Sequence, residues 1–78
     1  MKCTLYFLDT RQRPDRANIA EEWIMRAVTV PTREVCQADG RYRRWVQIPE
    51  AGDRWLRVIV LADGETVHNA FFDQGMES

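Results

Sequence analysis

A β-hairpin is encoded most plainly at positions 54–72, which read RWLRVIVLADGETVHNAFF. Two runs rich in β-branched and aromatic residues flank the dipeptide Asp63-Gly64, which is typical of tight turns between antiparallel strands. The stretch therefore predicts strands at 54–62 and 65–72. A two-residue turn fixes the register, so that Val60 lies opposite Val67 and Ile59 lies opposite His68.

The preceding residues indicate a second hairpin of the same kind. Asp39-Gly40 separates two further segments, predicted as strands at 33–38 and 41–48. A five-residue connection at 49–53, which begins with Pro49 and contains Gly52, leads into the strand at 54–62. Together the two hairpins predict a four-stranded antiparallel meander.

A helix precedes the meander. Asn18 is a good N-cap residue, and Glu21 follows three positions later in a capping-box pattern. Apolar residues then recur at helical spacing, and Pro31 ends the element. Trp23 is expected to be the main anchor of this helix on the sheet. The apolar face comprises Ile19, Trp23, Ile24, Ala27 and Val28.

The N-terminal residues complete the predicted architecture. Positions 2–8 alternate loosely and predict an additional strand, and the polar positions 9–16 predict a loop or at most one helical turn. The fold class is therefore α+β. One principal helix packs on a twisted, mainly antiparallel sheet of four to five strands, in the order β-α-β-β-β-β. Positions 1–78 form one domain, and the polar tail 73–78 is expected to fray.

Composition limits the classes of function. The 78 residues carry a net charge of −1, which excludes a uniformly basic nucleic-acid binder but permits a locally basic face. Cys3, Cys36 and His68 are too few and too scattered for a structural zinc site or a disulfide framework, so no metal or cofactor is predicted. We expect a cytoplasmic protein with buried free thiols, because no apolar run is long enough for a signal peptide or membrane span.

The predicted register places unusual residues on one face of the sheet. The apolar face, which collects Leu56, Val58 and Val60, is expected to lie under the helix; Arg44 also falls on it, near an edge or through a register error. On the opposite face, arginines alternate with aromatic rings, a composition that suits phosphates and bases of single-stranded nucleic acid. That face is predicted to carry Arg41, Arg43, Trp45, Trp55, Arg57 and His68, together with Glu34 and Cys36.

His68 is the candidate for acid–base chemistry. An imidazole has its unperturbed pKa near 6.5 and can accept the proton of a ribose 2′-hydroxyl. Arg43 and Arg57 are the candidates to stabilise the charge that develops on the phosphate, and Glu34 is a second candidate base. Arg41, Trp45 and Trp55 are the candidate nucleic-acid contacts.

Several segments resemble small bacterial proteins of a family distantly similar to RelE-type and BrnT-type toxins. They are 13–16 through 22–24, 39–45, 54–58 and 69–73. The resemblance implies an enzyme that cleaves messenger RNA, acts at the ribosome and is neutralised by a protein antitoxin. It assigns Arg43, Arg57 and His68 to the catalytic positions. The chain departs from those toxins in being nearly neutral and in having no histidine at 10–16.

Two functional classes therefore follow from the sequence. The first is an RNA-binding or ribonuclease-like protein that uses the Arg/Trp/His face. The second is a non-enzymatic interaction module, in which an exposed tryptophan face or a sheet edge binds a protein partner or a second copy of the chain. A purely structural alternative also exists, because Trp45 beside Arg57 can form a cross-strand cation–π pair that only stabilises the sheet.

Overall fold

The computed structural model describes residues 1–75 and confirms an α+β fold. One principal helix and one short helix lie on the same side of a four-stranded antiparallel sheet. Within the described range, no helix is long and apolar enough to span a membrane. The elements are α1 (Leu5–Thr10), α2 (Glu21–Thr29), β1 (Arg33–Cys36), β2 (Tyr42–Ile48), a 3-10 turn (Pro49–Ala51), β3 (Arg54–Val60) and β4 (Val67–Phe72).

The sheet is a meander whose two edges differ. Its strand order is β1-β2-β3-β4, and every neighbouring pair is antiparallel. Residues 2–4 run along the outer edge of β4, where Cys3 makes a parallel bridge with Val67. The Val67 amide donates to the Lys2 carbonyl at 2.9 Å, and the Thr4 amide donates to the Val67 carbonyl at 3.0 Å. The outer edge of β4 is thus paired at Val67, its first residue, whereas β1 forms the other edge of the sheet.

The predicted strand at 2–8 is wrong beyond this bridge, because α1 begins at Leu5. The hydroxyl of Thr4 accepts a hydrogen bond from the Phe7 amide and caps the helix. Phe7 and Thr10, three residues apart, are buried, and Leu5 is 85% exposed. A capped turn that buries one aromatic ring therefore replaces the strand, and the chain opens with a helix rather than with the first strand of the predicted order.

Helix α2 begins at Glu21, so the prediction of Asn18 as its cap is wrong. Ala20 is the N-cap and supplies no side-chain hydrogen bond. Glu21 lies in the first turn, where a negative charge is favourable near the helix N-terminus. The fully buried anchors are Ile24 and Ala27, while Trp23 is only partly buried.

The core lies between the two helices and one face of the sheet. Its side chains come from both helices, from the segment that joins them and from β2, β3 and β4. Burying this apolar surface supplies the main driving force for folding. The buried cluster comprises Phe7, Ile19, Ile24, Ala27, Val46, Ile48, Leu56, Val58, Val60, Val67 and Ala70.

The first hairpin has a longer loop than the two residues that were predicted. The Gln37 amide donates to the Arg41 carbonyl at 2.7 Å, so three residues form the loop, and Gly40 adopts a φ of +90°. This change shifts the register of β1 by one residue and reverses its faces. Glu34 and Cys36 therefore lie opposite Arg44 and Tyr42, on the helix side of the sheet, and their predicted places on the opposite face are wrong.

The second hairpin has the predicted register only near its turn. Val60 pairs with Val67, but Ile59 pairs with Asn69, because a β-bulge interrupts the ladder and leaves His68 as the extra residue. Beyond the bulge the faces of β4 are exchanged relative to the prediction. Ala70 is buried in the core, and the side chain of Phe71 lies on the opposite face.

The predicted register across residues 49–53 is confirmed, since Val46 pairs with Leu56 and Arg44 pairs with Val58. Arg44 thus lies on the helix side, near the sheet edge. Its guanidinium donates to the Glu34 carboxylate at 2.6 Å and to the carbonyls of Val28 and Gly64 at 3.0 and 2.8 Å. These three acceptors stabilise a charge that is otherwise costly to bury.

Candidate nucleic-acid interface

The sheet face that points away from the helices is called the arginine face here. Consecutive residues of a strand point to opposite faces, so the observed register defines its members. The face also borders the His68 bulge and the loop that carries Arg41. Its members are Arg33, Val35, Arg43, Trp45, Gln47, Trp55, Arg57, Ile59, Asn69 and Phe71.

A row of alternating guanidinium groups and aromatic rings crosses this face. The row follows the cross-strand pairs, from Arg33 on β1 through Trp45 and Arg57 to Phe71 on β4. Arg57 lies 5.4 Å from the Trp45 ring centre and 5.2 Å from that of Phe71. Arg33 and Arg16 flank the two rings from outside at 5.5 and 5.2 Å. These distances lie within cation–π range, so the row stabilises the sheet.

Trp45 belongs to the interior of this row, so its predicted exposure is wrong. Its side chain is 6% exposed, and its indole N–H donates to Asp73 at 3.0 Å. The same carboxylate lies 3.3 Å from Arg57 Nε as an ion pair, although this nitrogen has no hydrogen bond of good geometry. Asp73 is the first residue of the tail that is predicted to fray. Residues 76–78 of that tail lie outside the described residues.

Next to the row, the arginine face forms a pocket of about 290 Å³. Four of the six predicted site residues line it, and its lining contains no carboxylate group among the residues described. Within residues 1–75, the arginines of this pocket that form an ion pair are Arg57, with Asp73, and Arg41, whose Nε lies 3.8 Å from Asp39. The lining consists of Tyr6, Gln37, Arg41, Arg43, Arg57, Ile59, His68, Asn69 and Phe71.

Arg43 is the exception among the arginines of this pocket. Its guanidinium forms no ion pair and no hydrogen bond with any of residues 1–75. It is half-buried at the centre of the sheet, between Val35 on β1 and Ile59 on β3. A half-buried charge without a partner favours the binding of an anion, because an anion would restore the lost solvation.

His68 is held in the bulge by two contacts from the N-terminal segment. Its Nδ1 lies 3.0 Å from the hydroxyl of Thr4, and Tyr6 stacks on its ring with centres 4.8 Å apart. Partial burial, assisted by the positive charge of Arg41, lowers the pKa of His68 below its ordinary value of 6.5. The imidazole is therefore neutral at pH 7. A tautomer that donates from Nδ1 to Thr4 keeps its lone pair on Nε2.

A second concavity of about 400 Å³ adjoins the pocket on the β1 side. The two concavities share Gln37 and Arg43 as lining residues. The second concavity is also lined by Cys36, whose thiol is free and exposed. The prediction that both thiols are buried is therefore wrong for Cys36.

The structure separates the remaining predicted residues from the pocket. Trp55 lines a different cleft at the far end of the sheet, with Phe72 and Arg54. Glu34 is on the helix side, paired with Arg44. Tyr6 and Phe71 line the pocket but were not predicted to do so, because α1 was interpreted as a strand and the bulge was not anticipated. Among residues 1–75, no three metal-ligating side chains come together.

Comparisons of the chain with protein-family models, with curated proteins and with solved structures find no match.

Proposed function

We propose that this protein binds single-stranded RNA on the arginine face, with the phosphate backbone in the pocket. The observation that carries the proposal is the lining of the pocket, which combines three guanidinium groups with no carboxylate. Planar guanidinium groups bind phosphate through paired N–H donors. Because the whole chain carries a net charge of −1, attraction to RNA depends on a locally basic surface such as this face.

The aromatic residues around the pocket favour a single strand over a duplex. Tyr6 is 49% exposed, and its ring stacks on the imidazole of His68 at the rim of the pocket. Splayed bases of single-stranded RNA stack on such rings, whereas bases inside a duplex are already stacked. The proposal thus combines phosphate contacts at the arginines with base contacts at Tyr6.

Fluorescence anisotropy with a labelled single-stranded RNA tests this proposal. We expect Arg43→Gln to weaken binding and to reduce the salt dependence of log K by about 0.7, the contribution of one phosphate contact on a single strand. Arg13→Gln is the matched control, because Arg13 is exposed and its side chain makes no hydrogen bond, ion pair or ring contact within residues 1–75. Absence of RNA binding by the wild type at low salt, or equal effects of the two variants, would refute the proposal.

The proposal extends to RNA cleavage through His68, in line with the resemblance to RelE-type toxins. A neutral imidazole is the form that accepts a proton, and Arg43 and Arg57 lie in the same pocket to stabilise a phosphorane. The partners implied by that resemblance, the ribosome and an antitoxin, belong to this part of the proposal.

Incubation of RNA with the protein, both alone and with bacterial ribosomes, tests the cleavage step. We expect His68→Gln to abolish the cleavage products while RNA binding is retained. The wild type and His68→Gln are then expressed separately in a bacterial host, and the degree of growth arrest that each causes is compared. If the wild type produces no cleavage products under either condition, the proposal reduces to RNA binding.

A protein-interaction role is the second candidate, and exposed apolar side chains favour it. Leu5 is 85% exposed and Leu8 is 48% exposed, on the outer surface of α1. β1 is also an open sheet edge. The exposed tryptophan face no longer supports this role, since Trp45 is buried. Sedimentation of the purified protein over a range of concentrations tests for a homodimer, and Leu5→Lys should prevent one that forms through α1.

A further inference from the structure

The outer edge of β1 carries backbone groups that have no partner within residues 1–75. The Gln37 amide donates to the Arg41 carbonyl, toward the β2 side. Because the direction of the backbone N–H and C=O groups alternates along a strand, those of Val35 point to the same side. The N–H and C=O groups of Glu34 and Cys36 therefore point away from the sheet, where no other strand pairs with β1 in the described part of the chain.

The side chains of β1 do not protect this edge. Proteins often protect an open edge with a lysine, a proline or a β-bulge, and Arg33–Cys36 contains none of the three. The two charges of the strand already have contacts within the chain. Glu34 pairs with Arg44 at 2.6 Å, and Arg33 lies 5.5 Å from the ring centre of Trp45. The edge is therefore open to another strand.

A second copy of β1 supplies the complementary backbone groups in one register. Two-fold symmetry about an axis through Val35 places each Glu34 opposite Cys36 of the other copy. The outward groups of these residues then form four hydrogen bonds, two for each pair. An axis through Glu34 would bring like charges face to face. An axis through Cys36 would require pairing by Ala38, which lies in the hairpin turn.

The same register brings together two side chains that lack hydrogen bonds in the single chain. Gln37 lines the pocket on the arginine face, and its buried Oε1 atom accepts no hydrogen bond from residues 1–75. Arg33 lies on the same face and forms no ion pair or hydrogen bond in that range. With the axis through Val35, Arg33 of the second copy lies directly opposite Gln37. A guanidinium donor thus faces the side chain that has an unused acceptor.

We propose that β1 pairs antiparallel with β1 of a second copy in this register, so that two chains share one eight-stranded sheet. The inference does not depend on RNA binding. It assigns an interface to the protein-interaction role and places that interface at β1 rather than at α1. Both arginine faces lie on the same side of the joined sheet, with the Cα atoms of the two Arg43 residues about 15 Å apart.

Sedimentation velocity without RNA, from about 10 μM to about 1 mM protein, tests the interface. We expect a monomer–dimer equilibrium for the wild type. Cys36→Pro removes an outward N–H but no hydrogen bond within the chain, and an edge strand tolerates proline at such a position. It should raise the dissociation constant at least about tenfold, because symmetry removes two hydrogen bonds. Cys36→Ala is the matched control and should leave the equilibrium unchanged.

Disulfide formation tests the register and does not require Cys36→Pro to fold. Position 35 faces its own copy across the axis, with Cα atoms about 4.5 Å apart, which suits a disulfide. In a chain that also carries Cys3→Ala and Cys36→Ala, Val35→Cys should therefore form a covalent dimer under mild oxidation. Arg33→Cys in the same background should not, since the two copies of position 33 lie about 13 Å apart along the strands.

The remaining outcomes would overturn the proposal. They are a wild type that stays monomeric at every concentration, a dimer that Cys36→Pro leaves intact, and equal covalent yields from Val35→Cys and Arg33→Cys. If Leu5→Lys dissociates the dimer and Cys36→Pro does not, the interface lies on α1, and the protein-interaction role stands without β1. RNA binding is measured separately, so its failure is distinguishable from the failure of this interface.

Discussion

Arg43 and Arg44 are neighbours on β2, yet they meet opposite environments. Arg44 points to the helix side, where a carboxylate and two backbone carbonyls accept its hydrogen bonds. Arg43 points to the arginine face and has no ion pair or hydrogen bond with any of residues 1–75. One guanidinium therefore contributes to the stability of the fold, while the other keeps its binding capacity for a ligand.

The same contrast holds for the two faces of the sheet as a whole. The helix side is covered by α1 and α2, and its central residues Leu56, Val58 and Val60 are 0% exposed. Within residues 1–75 no helix covers the arginine face, and flanking arginines shield its Trp45 ring instead. A domain with one modest core thus stabilises its second face by cation–π contacts and leaves part of that face open for binding.

The largest expected effect tests whether stability resides mainly on the helix side. Leu56→Ala should lower the free energy of unfolding by about 2–5 kcal/mol, because it leaves a cavity in the core. Ile59→Ala, on the same strand but on the half-buried arginine face, should cost only about 1–2 kcal/mol. Urea unfolding monitored by tryptophan fluorescence measures both values. Equal losses would show that the arginine face is as tightly packed as the core.

A smaller effect is expected from the two neighbouring arginines. Arg44→Gln should lower the free energy of unfolding by about 1.5–3 kcal/mol, since hydrogen bonds to a charged group are lost and Glu34 keeps its charge without a partner. Arg43→Gln should change it by no more than about 0.5 kcal/mol. Urea unfolding measures the change in the free energy of unfolding for both variants. A large loss in Arg43→Gln would mean that this residue has a structural role, and its effect on RNA binding would then need a different explanation.

Much of this contrast could be predicted from the strand pattern, and two backbone details could not. The alternation in β2 and β3 correctly assigned their faces, including the unexpected place of Arg44 on the helix side. The Asp39-Gly40 pair indicated a hairpin but not whether its loop has two or three residues. The length of this loop decides whether the side chain of Glu34 lies on the arginine face, with the pocket, or on the helix side, with Arg44.

The sequence predicted which residues share the face of the candidate site, but it did not predict how they are arranged there. Arg41, Arg43, Arg57 and His68 were placed on one face, and the structure brings all four to one pocket. No sequence signal marked His68 as a bulge, because a bulge depends on how the ladder accommodates its neighbours. Thr4 is a residue type that often caps helices, and it was a hint that a helix begins at Leu5.

The smallest effect concerns the proton on His68, the only histidine of the chain. Its pKa in the folded protein lies below 6.5 because of partial burial and the charge of Arg41. As the pH falls below about 6.5, the unfolded chain takes up the proton before the folded protein does. The contribution of His68 to stability is therefore full above pH 6.5, and it decreases as the pH falls through the lower folded-state pKa.

One nuclear magnetic resonance titration of the His68 ring protons measures that pKa without ambiguity, and it also tests the pocket. The groups that face or adjoin the ring are Tyr6 from α1, Arg41 from the hairpin loop, and Arg43 and Arg57 from the sheet. Arg41→Gln should raise the pKa, because a repelling charge is removed. In the wild type, sulfate that binds in the pocket should also raise the pKa of His68. Sulfate stays doubly charged across this pH range, and its negative charge stabilises the protonated imidazole. If sulfate leaves the pKa unchanged in the wild type, the pocket does not bind a dianion next to His68, and the two faces then differ in packing alone.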